Sequence, residues 1–203
     1  MNAPMVYFAI KFWLLFALAF FPLIYPSFAY AHTGMVDQSG WVHGFIHPLG
    51  GLDHILTMVA VGLWAAQMAG RAIWLVPFTF VTVMTLGGVV GMIGIPFVGT
   101  ELGIVISLLV FGMLIAAAIH LPLLISIMVA GMFAFCHGYA HGAEMPHNVS
   151  GLAYAAGFIL ATACLHACGI ALTVLSGRMG RVQWLRPAGI VVAFYGGSIL
   201  FAG

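Results

Sequence analysis

The 203-residue chain is 64% hydrophobic and only 4% charged, with a mean hydropathy of +1.19 and a formal net charge of +1; a soluble domain is roughly a quarter charged. That balance excludes a water-exposed globular domain and any surface basic enough to hold a nucleic acid. What remains is an integral membrane protein in which His, at nine residues, is the commonest ionisable type.

In chain order, the first segment carries Lys11, the apolar run "FWLLFALAFF" and a small-x-small end at Ala29 and Ala31. These features predict a secretory signal peptide over 1–31 with cleavage after Ala31, so that the mature chain, 32–203, begins at His32. A new terminus there would offer a divalent ion both an amine and an imidazole.

Beyond residue 40 the apolar runs break only at "QMAGR", "GIPFVGTE", "HLP", "HGAEMPHNVSG" and "SGRMGRVQWLRP". The intervals are about 17 to 25 residues long, enough for a helix to cross a hydrocarbon core of roughly 30 Å. They predict six transmembrane helices near 43–68, 72–95, 101–119, 121–141, 151–175 and 187–202. Helices are expected because lipid offers backbone groups no partners. The fold class is therefore an all-α integral membrane protein with six transmembrane helices after a cleavable signal peptide.

Arg71 follows the first span, and Arg178, Arg181 and Arg186 lie between the fifth and sixth. In a six-span chain both loops share a side, which basic residues assign to the cytoplasm. The expected location is a bacterial inner membrane, multi-pass, with the mature N-terminus outside.

Polar residues then converge on the outer side. The first span opens with "HGFIHPLGGLDH", containing His43, His47, Asp53 and His54; Glu101 precedes the third span, and "HGYAHGAE" closes the fourth with His137, His141 and Glu144. Pro48 with Gly50 and Gly51 predicts a locally opened helix in the first span. His137, His141 and Glu144 would share one face of a continuing helix, while Gly138 and Gly142 form a small-residue stripe that lets a neighbour approach. Ionisable groups at membrane depth cost several kcal/mol unless function retains them. Imidazole nitrogen mixed with carboxylate oxygen suits Ni²⁺, Co²⁺ or Zn²⁺ better than Ca²⁺ or Mg²⁺.

Cys136, Cys164 and Cys168 lie inside apolar runs and read as small core residues, and the twelve Met are scattered without a motif. His166, between two of those cysteines, reads equally as a relay ligand or a hydrogen-bonded packing residue. His120, at a cytoplasmic turn, reads as interfacial. The sequence has no P-loop, which argues against ATP hydrolysis by this chain.

"HPLGGLDHILTM" from His47 and "FCHGYAHGAE" from Phe135 closely resemble the two signature motifs, HPxxGxDHxxxM and FxHGxxHGxE, of the HupE/UreJ family of nickel/cobalt permeases. The resemblance covers nearly the whole mature chain and includes "CLHACG" in the fifth span. It implies a secondary transporter, not an enzyme, moving Ni²⁺ or Co²⁺, with Zn²⁺ ranking behind them and no permanently bound cofactor. Its motif residues fall on His47, Asp53, His54, His137, His141 and Glu144, with His32, His43, Glu101 and His166 as further candidate ligands. Expected partners are the divalent ion and membrane lipid, with a homo-oligomer left open. The competing readings are a histidine-rich membrane metalloenzyme, a haem carrier using His54 and His137, and an accessory metal-binding protein for metalloenzyme maturation.

Overall fold

A computed structural model of the chain describes residues 38–145, 149–178 and 185–202, together with Gly180 and Gln183. The predicted signal peptide over 1–31 and His32 lie outside these residues. The described chain is all helical: α1 Gln38–Ile46, a 3-10 turn His47–Leu49, α2 Leu52–Met68, α3 Ala72–Met92, α4 Thr100–Ala117, α5 Leu123–Ala143, α6 Gly151–Arg178 and α7 Leu185–Ala202.

Helices α3 to α6 are long and apolar enough to cross a membrane, α1 and α2 pass the same test only as a pair, and α7 is a shorter apolar helix. Each of the six predicted intervals thus carries helix. The first is bent by 80° at its break. Pro48 has no backbone N–H and its ring crowds the carbonyl four residues back, so α1 cannot run on through it. Gly51 then adopts an extended backbone, and α2 starts in a new direction.

Two ends follow from the chain's course. The α1/α2 break, the start of α4, the end of α5 and the start of α6 gather at one end, and Arg71, Arg178 and Arg186 lie exposed at the other. That second end is tied by side chains reaching helix termini. Trp64 Nε1 donates to Ile119 O at 3.1 Å, Arg186 Nε donates to Ala116 O at 2.9 Å, and the two ring nitrogens of His120 lie 3.0 Å from Ala118 O and Gln67 O. His120, expected to be merely interfacial, is a bridge between the ends of α2 and α4.

The core is built from Met58, Trp64, Phe80, Met84, Phe111 and Ile115, all fully buried, while Phe78, Leu124, Met128, Phe194 and Phe201 are turned outward. Outward apolar side chains suit a lipid solvent. With no hydrophobic drive between helices in lipid, association depends on close fit, and small residues supply it. The parallel pair α3 and α5 meets through the expected stripe: a Cβ on Gly138 would fall on Met84 O, and one on Gly142 on Gly88 O. Gly62 and Gly169 bring α2 and α6 together in the same way, with the carbonyls of His166 and Val59 against them. Cys136, Cys164 and Cys168 are all free thiols.

Gly138→Ala should therefore force α3 and α5 apart and cost about 1–3 kcal/mol or more, whereas Gly88→Ala, whose methyl would meet Gly138 O at an ordinary 3.5 Å, should be tolerated. Thermal unfolding of the detergent-purified proteins compares the two.

Candidate metal site

The break in the first span aims its polar side chains into the bundle. His47 on the 3-10 turn directs Nε2 to Glu144 Oε2 at 3.1 Å. In the first turn of the new direction, Asp53 Oδ1 lies 3.0 Å from His54 Nδ1. A carboxylate only accepts, so Nδ1 carries the hydrogen and His54 Nε2 is left with its lone pair. That Nε2 is buried and has no protein partner. Gly51 makes the pair possible, because a Cβ there would sit 2.6 Å from Asp53 Oδ1 and 3.0 Å from His54 Nδ1.

From the other side comes the end of α5. His137 is fully buried and His141 nearly so. The helix does not continue to Glu144, as the sequence spacing alone suggested; it ends at Ala143, and Glu144 is its C-cap residue with φ −90 and ψ 0. Freed from the helix face, the Glu144 carboxylate reaches across to His47. His141 is the hub of the arrangement. Its ring centroid lies 4.7 Å from His47, 4.3 Å from His54 and 4.3 Å from Phe158, and neither of its nitrogens has a hydrogen-bond partner. One ligand atom each from His47, His141 and Glu144 fall within 4.8 Å of one another.

His137 sits deeper, its ring 5.0 Å from that of His54. Ser107 on α4 donates its one hydrogen to Ile104 O at 2.6 Å and stands 3.0 Å from His137 Nε2. Its oxygen must then accept from the imidazole, which puts the hydrogen on Nε2 and the lone pair on Nδ1. Thr57 Oγ1, 3.3 Å from Ser107 Oγ, donates to the same oxygen. His137 Nδ1 is buried without a partner. Two of the imidazoles are thus fixed in a tautomer by a neighbour, an arrangement typical of metal-ligating histidine.

Above the histidines opens a cleft of about 700 Å³ whose lining includes His43, His47, Asp53, His54, Glu101, His141 and Glu144. Of the residues singled out in the sequence, these seven gather at one cleft and His137 lies beneath it. His166 lies deeper still on α6, fully buried, with Nδ1 2.7 Å from Met58 O. Sequence reading passed over Ser107, Thr57, and the rings of Tyr154 and Phe158 that pack on His47 and His141. A lone Ser in "VISLLV" carries no signal of its own; only the facing helix gives it a role.

The family described as HupE / UreJ protein matches residues 18–199. The chain belongs to that family. It is also similar to Protein HupE of Rhizobium leguminosarum bv. viciae, 42% identical over 179 residues that cover 88% of this chain and 93% of the relative. No solved structure matches the chain. The two motifs singled out in the sequence therefore meet in one place: the first supplies the broken helix with His47, Asp53 and His54, and the second supplies His137, His141 and Glu144 from the end of α5 that faces it.

Replacing Ser107 by Ala should leave the His137 N–H and the Thr57 hydroxyl without their buried acceptor, at a cost of about 1–3 kcal/mol. Thermal unfolding of the purified variant measures it, and an unchanged midpoint would mean that His137 does not depend on Ser107.

Proposed function

We propose that the chain is a six-span secondary permease that carries Ni²⁺ or Co²⁺ inward across the bacterial inner membrane. The observation that carries this reading is the set of buried imidazole nitrogens without partners at the floor of an open, carboxylate-edged cleft. An unsatisfied buried polar atom costs about 1–3 kcal/mol, and several sharing one cavity are most simply accounted for by a ligand that uses their lone pairs. Family membership supports nickel or cobalt as that ligand.

The steps follow from the chemistry of the donors. Asp53, Glu101 and Glu144 give the cleft a negative rim that attracts a cation. The ion exchanges water for His47 Nε2, His141 and Glu144, and the hydrogen that His47 and Glu144 share moves to His47 Nδ1, which leaves Nε2 and the carboxylate free to ligate. His54 Nε2 and His137 Nδ1 are the next lone pairs inward, each held ready by its partner, Asp53 or Ser107. Asp53 on this account orients His54 and balances charge without itself being the principal ligand. With the exposed arginines in the cytoplasm, the cleft faces outward. A doubly charged ion moving inward gains about 4.6 kcal/mol at 100 mV, equivalent to about three decades of accumulation. Facilitated entry suffices, and no ATP is needed.

Uptake of radiolabelled Ni²⁺ and Co²⁺ into cells, normalised to the amount of protein in the membrane, tests the reading. His54→Ala and His141→Ala should both abolish uptake while the protein still accumulates; near-parental transport by the two would refute it. Asp53→Asn keeps an oxygen that accepts from His54 but loses the charge, and should weaken metal affinity by about 10- to 100-fold. Orientation is checked separately. A cysteine at Val98, which is 94% exposed at the cleft end, should react with an impermeant thiol reagent in intact cells, and one at Gly180 should not.

A further inference from the structure

The row of imidazoles does not stop at His137. Its ring centroid lies 5.8 Å from that of Phe80, and the centroid of the same Phe80 ring lies 5.2 Å from that of His166, edge to face at 84°. Both Phe80 and His166 are fully buried. His166 Nδ1 reaches Met58 O, and Met58 stands four residues, about 6 Å, beyond the cleft-lining His54 on α2, so His166 lies inward of the cleft.

The hydrogen on His166 is located by its neighbour. Met58 O can only accept, so Nδ1, 2.7 Å away, donates, and Nε2 holds the lone pair. That Nε2 has no partner. An imidazole whose one nitrogen is anchored on a backbone carbonyl while the other is left bare is the usual preparation of a metal ligand. A packing histidine at this depth would be expected to satisfy both nitrogens. Imidazole nitrogen favours late first-row divalent cations over Ca²⁺ or Mg²⁺.

We propose that His166 anchors a second, inner site for the divalent cation, beneath the outer cluster and beside the ring of Phe80. The proposal rests on the permease reading for the identity of its ion, but not for its existence. Phe80 touches both His137 and His166, so an ion passing from the one imidazole to the other passes along its ring.

The test uses the purified full-length protein, Co²⁺ as probe, and His166→Asn. Asn places an amide N–H where Nδ1 stood, which preserves the bond to Met58 O, and has nothing in place of Nε2. Equilibrium dialysis should find a second Co²⁺ per chain in the parent beyond the one held at the outer cluster, and only the outer one in the variant. Uptake into cells should fall by about 10- to 100-fold in the variant at unchanged protein level. A parent chain that binds a single Co²⁺, or a variant that keeps both ions and parental uptake, overturns the proposal. So does a variant that loses outer-cluster binding and fails to accumulate, since His166 would then be a packing residue. A parent that binds both ions yet carries none inward would sink the permease reading and leave the inner site standing.

Discussion

A buried imidazole nitrogen in an apolar helix bundle has neither water nor a free backbone group to turn to, and the whole arrangement of this protein answers that constraint. Hydrocarbon outside and close-packed side chains inside leave each ring only its immediate neighbours. Where a neighbour exists, it fixes the tautomer: Asp53 for His54, Ser107 for His137, Met58 O for His166. The nitrogens left over have no hydrogen-bond partner, and His141 contributes two of them. A divalent cation is a ligand that uses such lone pairs, which proteins otherwise avoid leaving bare.

That convergence depends on helix packing that no ligand enforces. α3 and α5 touch backbone to backbone through Gly138 and Gly142, and α2 and α6 through Gly62 and Gly169. The first contact fixes the height of His137 and His141. The second fixes the helix that carries Asp53 and His54 against the one that carries His166. The break at Pro48 then turns α1 aside by 80° and opens the cleft above the rings. Glycine stripe, broken helix and imidazole cluster are therefore parts of one construction, in which loss of the packing removes the site even though no ligand has been changed.

Much of this is legible in the sequence because the causes are local. Pro48 with Gly50 and Gly51 announces the break, hydropathy announces the helices, and four-residue spacing places His137 with His141 and Gly138 with Gly142. What the sequence conceals is set by partners distant along the chain. Ser107 is 30 residues from the imidazole it holds, and Glu144 acts 97 residues away from His47 because its helix ends one residue earlier. Gly51 reads as a turn former, yet its lack of a Cβ also makes room for Asp53 and His54. The two readings of His166, relay or packing, could not be separated by composition; the structure adds the bare Nε2 and the contact with Phe80 on which the inner-site proposal rests.

The claim at the centre is that a metal ion sits among these imidazoles. X-ray absorption of the purified full-length protein loaded with Ni²⁺ tests it most directly, because scattering from the outer atoms of a coordinated imidazole ring differs from that of water or carboxylate. The account predicts a mixed nitrogen and oxygen shell with clear imidazole scattering that weakens in His141→Ala. A shell of oxygen alone, or a spectrum that His141→Ala leaves unchanged, would contradict it.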